Sequence, residues 1–393
     1  MKPLRPHFAP GWCHRRGRRL LALAAVLAAP ASPLPAALFE NEGWAVTTSA
    51  TASALYADNL FQRRDGDAGG YVAIEPALHV FRQHSLTQLQ LDASVRARTF
   101  VGVDEPETLD PSLSLLYRYP ADPDVLSQEE LRASFTRRTD VNRDVGELLR
   151  WNTYGADWEG VVLPTGRLTV AGHAGAQREE YDLSVYDIRD RLTAGLTLDL
   201  VSTEQLRLGV GYDFVYEFAH CQIAGCEVER IGHAVVFRGS GALLPKLNGK
   251  FYAGGENSAY SKRFNRSVWD VIAGASLAWS IDDRADLSLS ADRSNYFAAN
   301  GDAVLRTSVE LAYAHRIAKA FRARVQCGVG QARFRADTLF RKDDSVTMGG
   351  GLSYRLTQRL EGAIDVAYLR QDSTEERYDF DSLTLQGRLT CNF

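Results

Sequence analysis

A two-residue alternation of apolar and polar side chains, sustained over long segments, constrains this chain more than any other feature. In 206–216, Leu206, Leu208, Val210, Tyr212, Phe214 and Tyr216 are apolar, and Arg207, Gly209, Gly211 and Asp213 lie between them. In 269–281, Trp269, Val271, Ala273, Ala275, Leu277, Trp279 and Ile281 alternate with Asp270, Gly274, Ser276 and Ser280. The windows 89–99, 192–200 and 383–393 repeat the pattern. Side chains on a strand point to opposite faces in turn, so each segment has one apolar face and one wet face. Soluble sandwich strands alternate too, but they usually run about 5 or 6 residues. These segments are about twice that length, matching the roughly 9 to 11 residues that a tilted strand needs to cross a bilayer.

Aromatic placement points the same way. Trp269 and Trp279 stand on one face, ten residues apart. At roughly 3.3 Å per residue and a tilt of about 40°, they are separated by about 25 Å along the membrane normal, the height of the apolar band of an outer-membrane barrel. Tyr117, Tyr119, Tyr216, Phe321, Tyr354, Tyr368 and Phe393 also fall near segment ends, as an aromatic girdle requires.

The connections supply a strand count. Short turns are expected near 83–86, 120–126, 163–166, 201–204, 244–247, 281–284, 317–320 and 356–359. Longer polar loops are expected near 58–70, 101–108, 138–149, 179–188, 217–229, 258–267, 295–302, 335–344 and 370–381. The two kinds interleave, which predicts 18 antiparallel strands, or 16 if a weak pair at 121–160 or 247–258 is lost. The expected fold is all-β, a transmembrane antiparallel up-and-down barrel over 44–393. A mean hydropathy of −0.23 excludes a polytopic helical membrane protein, which needs repeated apolar runs of about 20 residues.

The first 37 residues read as a cleaved signal peptide. Lys2, Arg5, Arg15, Arg16, Arg18 and Arg19 precede the apolar run 20–31, and small residues follow at Ala36 and Ala37. Residues 38–43 are then a short periplasmic lead-in. Cleavage removes six basic residues and no acid, so the net charge moves from −4 to −10. An acidic mature chain does not suit nucleic acid. The expected location is the bacterial outer membrane, with membrane lipid and lipopolysaccharide around the wall.

The chain ends in Phe393, with Leu385, Gly387, Leu389 and Cys391 on the same face. This resembles the C-terminal strand signature of proteins handed to the outer-membrane barrel assembly machinery, which the resemblance makes a partner. Cys391 departs from it, standing where a bulkier apolar residue is usual. The opening strands carry Leu55-Tyr56-Ala57-Asp58-Asn59-Leu60-Phe61 and Tyr71-Val72-Ala73-Ile74-Glu75-Pro76-Ala77-Leu78. This pair resembles the start of the β-barrel porins of the second type. Some of that family accompany exopolysaccharide systems, which implies polysaccharide-export components as further partners.

The wet face is the candidate functional surface. It holds Arg96, Arg98, Arg118, Arg132, Arg189, Arg191, Arg207, Arg238, Arg322, Arg324 and Arg388, with Asp213, Asp270, Glu310 and Asp365 among them. Two readings compete: a transverse field that orients polar solutes, and a solvated wall knitted by Arg–carboxylate pairs. Inward aromatics are few, with Tyr252 and Phe334 the clearest. An 18-stranded barrel encloses room for an aqueous channel, and no loop here is long enough to predict a plug. The lumen is therefore expected to be narrowed by side chains.

Cys221 and Cys226 share one outer loop, and an oxidising compartment favours a disulfide between them. A metal held by this pair with His220 is the competing reading. Cys327 and Cys391 fall on apolar faces. No cofactor motif is present, and His79 and His173 lack a serine nucleophile at matching depth, so catalysis is not expected. The expected function is a channel for passive diffusion of small polar solutes. The rivals are an exopolysaccharide export or accessory barrel and an adhesive barrel with a closed lumen.

Overall fold

In a computed structural model, the described residues are 39–41, 43–120, 127–165, 167–182, 186–203, 206–222, 227–262, 265–335 and 340–393. They form nineteen strands: β1 (Phe39–Asn41), β2 (Trp44–Ala57), β3 (Gly69–His84), β4 (Thr87–Val101), β5 (Thr108–Tyr119), β6 (Ser127–Asn142), β7 (Glu147–Thr165), β8 (Leu168–Tyr181), β9 (Tyr186–Val201), β10 (Leu206–Cys221), β11 (Val228–Leu244), β12 (Leu247–Lys262), β13 (Arg266–Ser280), β14 (Ala285–Phe297), β15 (Ala303–Ala318), β16 (Phe321–Arg335), β17 (Lys342–Arg355), β18 (Leu360–Ser373) and β19 (Phe380–Asn392). β1 is a three-residue bridge folded onto β2.

Strands β2 to β19 pair antiparallel in chain order, and β19 returns to β2 through Thr384↔Ala57 to Asn392↔Ser49. The result is a closed barrel of 18 strands, the number the interleaved turns predict. Closure removes the sheet edges that would otherwise expose unpaired backbone. The alternation sorts the side chains as expected. On β9, Leu192, Leu196, Leu198 and Leu200 are exposed on the outside, and Arg191, Thr193, Thr197 and Asp199 face in. Trp269 and Trp279 lie on the outer face, 73% and 46% exposed.

The loops depart from expectation. The loop expected at 138–149 is a turn at 143–146, because β6 and β7 keep pairing to Asn142↔Glu147. Likewise β12 runs to Lys262 and β13 starts at Arg266. Hairpins go on forming ladder hydrogen bonds above the apolar belt, where polarity no longer alternates and sequence pattern no longer marks a strand.

A second departure changes the interior. The β5–β6 ladder stops at Ser112↔Thr136, next to Pro111, which has no backbone donor. The β13–β14 ladder stops at Ala273↔Arg293. Above these points the β6–β7 and β14–β15 hairpins bend into the lumen. Phe297, Ala298, Ala299, Ala303, Val304 and Leu305 are all buried, on both faces of their hairpin. Phe297 and Ala303 pack on Ala219, Val228 and Tyr260, inner-face residues of β10, β11 and β12. The expectation of a lumen narrowed by side chains alone is therefore corrected: backbone enters the mouth.

Candidate functional site

The lumen has two zones, a wall of paired charges and a mouth filled by the two hairpins. On the wall, nearly every predicted arginine meets a carboxylate. Arg96 Nε lies 2.7 Å from Glu75, Arg118 Nη2 lies 2.6 Å from Glu130, and Arg132 reaches the same Glu130 at 2.9 Å. Arg324 and Arg388 share Asp365 at 2.7 and 3.0 Å. Arg238 lies 3.4 Å from Asp213, Arg191 3.5 Å from Glu217, and Arg322 3.7 Å from Asp286. Arg207 and Glu310 are on the inner face and exposed. Arg98 and Asp270 are also on the inner face but buried: Arg98 binds Asp110 at 2.5 Å and the Thr139 carbonyl, and Asp270 binds Arg335 at 2.5 Å. Arg189 binds Glu179 and the carbonyl of Phe297.

Glycines set how these groups lie. A Cβ on Gly211 would come 2.3 Å from Arg238 Nη2, and one on Gly195 would come 2.5 Å from Asp213 Oδ1. The Asp213 and Arg238 side chains thus lie flat against the wall, over positions where only glycine leaves room. This was legible as an Arg or Asp facing a glycine one or two strands away, once the register was known.

His79 Nδ1 lies 2.7 Å from Asp92, while Ser114 and Gln90 donate to that same carboxylate rather than to the imidazole. His173 Nε2 lies 3.7 Å from Asp213. His233 sits on the outer face against Tyr212, 2.7 Å away.

The mouth is held by arginines. Arg341 donates to the carbonyls of Asp144 and Arg143 at 2.6 and 3.3 Å, and it pairs with Asp343. Its guanidinium lies between two rings, 4.0 Å from the centre of Phe334 and 3.3 Å from that of Tyr378. Tyr296 donates to the Asp144 carboxylate at 3.1 Å, and Arg63 donates to the Gly146 carbonyl at 3.2 Å. The β6–β7 turn is thereby tied to β14, to the start of β17 and to the loop after β2, across the lumen. Burial pushes the Asp144 carboxyl above the usual carboxylate range, against Tyr296 and the arginines 341, 189 and 306. Arg230, 1% exposed, joins Glu217, Glu256 and Ser258 beneath the β14–β15 tip.

The scarcity of inward aromatics is corrected here too. Tyr71 and Tyr181 join Tyr252 and Phe334 on the inner face, and Tyr260 packs against Phe297 of the inbent tip. They gather at the mouth, where hairpins that cross the lumen need apolar surface to pack on.

Cys226, like the signal segment 1–37, lies outside the described residues, and so does the side chain of Cys221. The disulfide and metal readings both fall there. Cys327 and Cys391 are free.

Comparison with known proteins gives three results. Residues 230–393 match the family described as "Putative beta-barrel porin 2", the family that the opening strands resemble. No curated protein matches the sequence. Among solved structures, the chain is similar to Pseudomonas aeruginosa OccK7 (OpdD), with a TM-score of 0.50, 12% identity and coverage of 90% of this chain and 99% of that one. It is similar to P. aeruginosa OpdK solved with vanillate (TM-score 0.49, 9% identity, 88% and 99% covered). It is also similar to the FrpB iron transporter of Neisseria meningitidis (F3-3 variant; TM-score 0.48, 10% identity, 85% of this chain), of whose length it spans 62%. At 12% identity the likeness to OccK7 is one of fold alone.

Proposed function

We propose that this porin-like barrel is an outer-membrane channel through which small polar solutes diffuse down their gradient. One observation carries the reading: a closed wall with an apolar outside and a charged, internally compensated inside. Such a wall is soluble in lipid on one face and in water on the other. Paired charges and flat-lying side chains keep the lumen wet without a strong barrier to either ion sign. By the usual orientation, the short turns face the periplasm and the inbent hairpins lie at the extracellular mouth. Solute size is then set at the mouth and solute chemistry at the wall.

The same reading includes a cleaved 1–37 segment, assembly through the strand ending in Phe393, lipopolysaccharide against the outer belt, and a Cys221–Cys226 disulfide in the β10–β11 loop. Planar-bilayer recording of the refolded protein tests it. Stepwise conductance is expected, and a protein that shows the heat-shifted gel mobility of a folded barrel but passes no current would sink the channel.

A further inference from the structure

The inner wall of β8 to β14, below the β14–β15 tip, encloses a cavity of about 860 Å³. Its chemistry is mixed in a particular way. The Tyr252 ring lies over Gly274, where a Cβ would come 2.2 Å from the ring edge. Its hydroxyl donates to Asp292 at 2.7 Å, and Ser294 holds the other oxygen of that carboxylate at 2.6 Å. The ring is therefore fixed at both ends and pressed flat to the wall. Beside it, Ala234, Val236 and Ile272 form a small apolar cluster on an otherwise charged inner face.

Asp213 and Arg238 line this cavity with side chains 27% and 30% exposed. They offer an acceptor and donors to it. A hydroxyl can pair with both, because it donates and accepts. The charges around the cavity carry both signs, with Arg191, Arg238 and Lys250 against Asp199, Asp213 and Asp292. An ionic solute of either sign meets like charge as well as opposite charge here, whereas a neutral one is repelled by neither.

We infer that this cavity is a subsite for a neutral polyhydroxylated ring, a pyranose in chemical class. Its C–H face would lie on Tyr252, and adjacent hydroxyls would engage Asp213 and Arg238. Aromatic faces are electron-rich and attract the polarised C–H groups of such a ring. The inference rests on the channel reading and adds a solute class to it.

Maltose added to single channels in a planar bilayer tests it. The wild type should show a saturable block of the ion current. Tyr252→Ala should raise the half-blocking concentration about tenfold, the equivalent of about 1.4 kcal/mol. Tyr252→Phe keeps the ring and should stay within about threefold of wild type. Current without saturable block, equal block by a polyethylene glycol of similar size, or unchanged block in Tyr252→Ala would overturn the subsite while leaving the channel intact. If no current flows, the channel reading fails by itself. Calorimetric titration of maltose into the folded barrel in detergent then decides the subsite, which requires saturable heat in the wild type and its loss in Tyr252→Ala.

Discussion

The wall and the mouth of this barrel obey different rules, although both are built from the same alternating strands. Along the wall, charged side chains are half-exposed to the lumen and paired with neighbours, as in Arg324 and Arg388 on Asp365. Each such pair is worth little because water screens it. In the mouth, Arg230 and Arg341 are buried, Arg230 between Glu217 and Glu256 of the neighbouring strands and Arg341 against the carbonyls of the far β6–β7 turn. There the same chemistry becomes structural, since a buried charge that loses its partner is costly. Whether an Arg–carboxylate pair matters in this molecule therefore depends on whether a hairpin covers it.

That contrast can be broken most directly at Arg230. Arg230→Met leaves Glu256 buried without a counter-charge and Glu217 with only Arg191, 3.5 Å away, and it should lower stability by about 3–5 kcal/mol. Urea unfolding in lipid vesicles measures this, and a loss below about 1 kcal/mol would mean that the mouth is as wet as the wall. Arg341→Ala comes next. It leaves the part-buried carbonyls of Asp144 and Arg143 without their donor, at about 1–3 kcal/mol in all. The β6–β7 turn should then swing out of the mouth, raising single-channel conductance, and an unchanged conductance would show that the turn does not restrict the path.

Acidity sharpens the comparison further. The docked Asp144 carboxyl sits above its ordinary range near 3.9. Docking therefore takes up a proton, is most favourable below that ordinary value, and weakens as pH rises through the raised one. Conductance should fall on acidification from about pH 7 to about pH 4, and Asp144→Asn should abolish that dependence. Loss of the dependence in an Asp365→Asn wall variant instead would place the sensor on the wall. The smallest effect belongs to the wall: Arg324→Gln should change stability by less than about 1 kcal/mol, read in the same urea series.

The wall was legible in the sequence because strand geometry ties side-chain direction to position. The 11 residues of 206–216 show their two faces without any structure, and the interleaved turns give the strand number. The family resemblance was legible at 55–61 and 71–78, whereas the family match covers 230–393. The mouth was not legible. Ala303 and Leu305 carry the parity of lipid-facing residues, yet they are buried because their hairpin turns inward. Nothing local distinguishes an apolar residue meant for lipid from one meant for the opposite wall. The contact between Asp144 and Arg341 spans 197 residues, and only closure of the ring brings them together. The sugar-subsite geometry was partly visible as Tyr252, but its glycine bed at Gly274 depends on the β12–β13 register.

The two places where the ladder stops have a mechanical meaning. Below Ser112↔Thr136 and Ala273↔Arg293 the barrel is a complete hoop, and its shape is fixed by backbone hydrogen bonds around the whole circumference. Above them the hoop is cut into two arcs, the eight strands β6 to β13 and the ten strands β14 to β19 with β2 to β5. Arginine side chains span the cuts: Arg98 reaches the Thr139 carbonyl across one, and Arg293 the Val271 carbonyl and Arg335 the Asp270 carboxylate across the other. The rim can thus change its outline by moving a few guanidinium groups, while the hoop beneath stays rigid and holds the membrane seal.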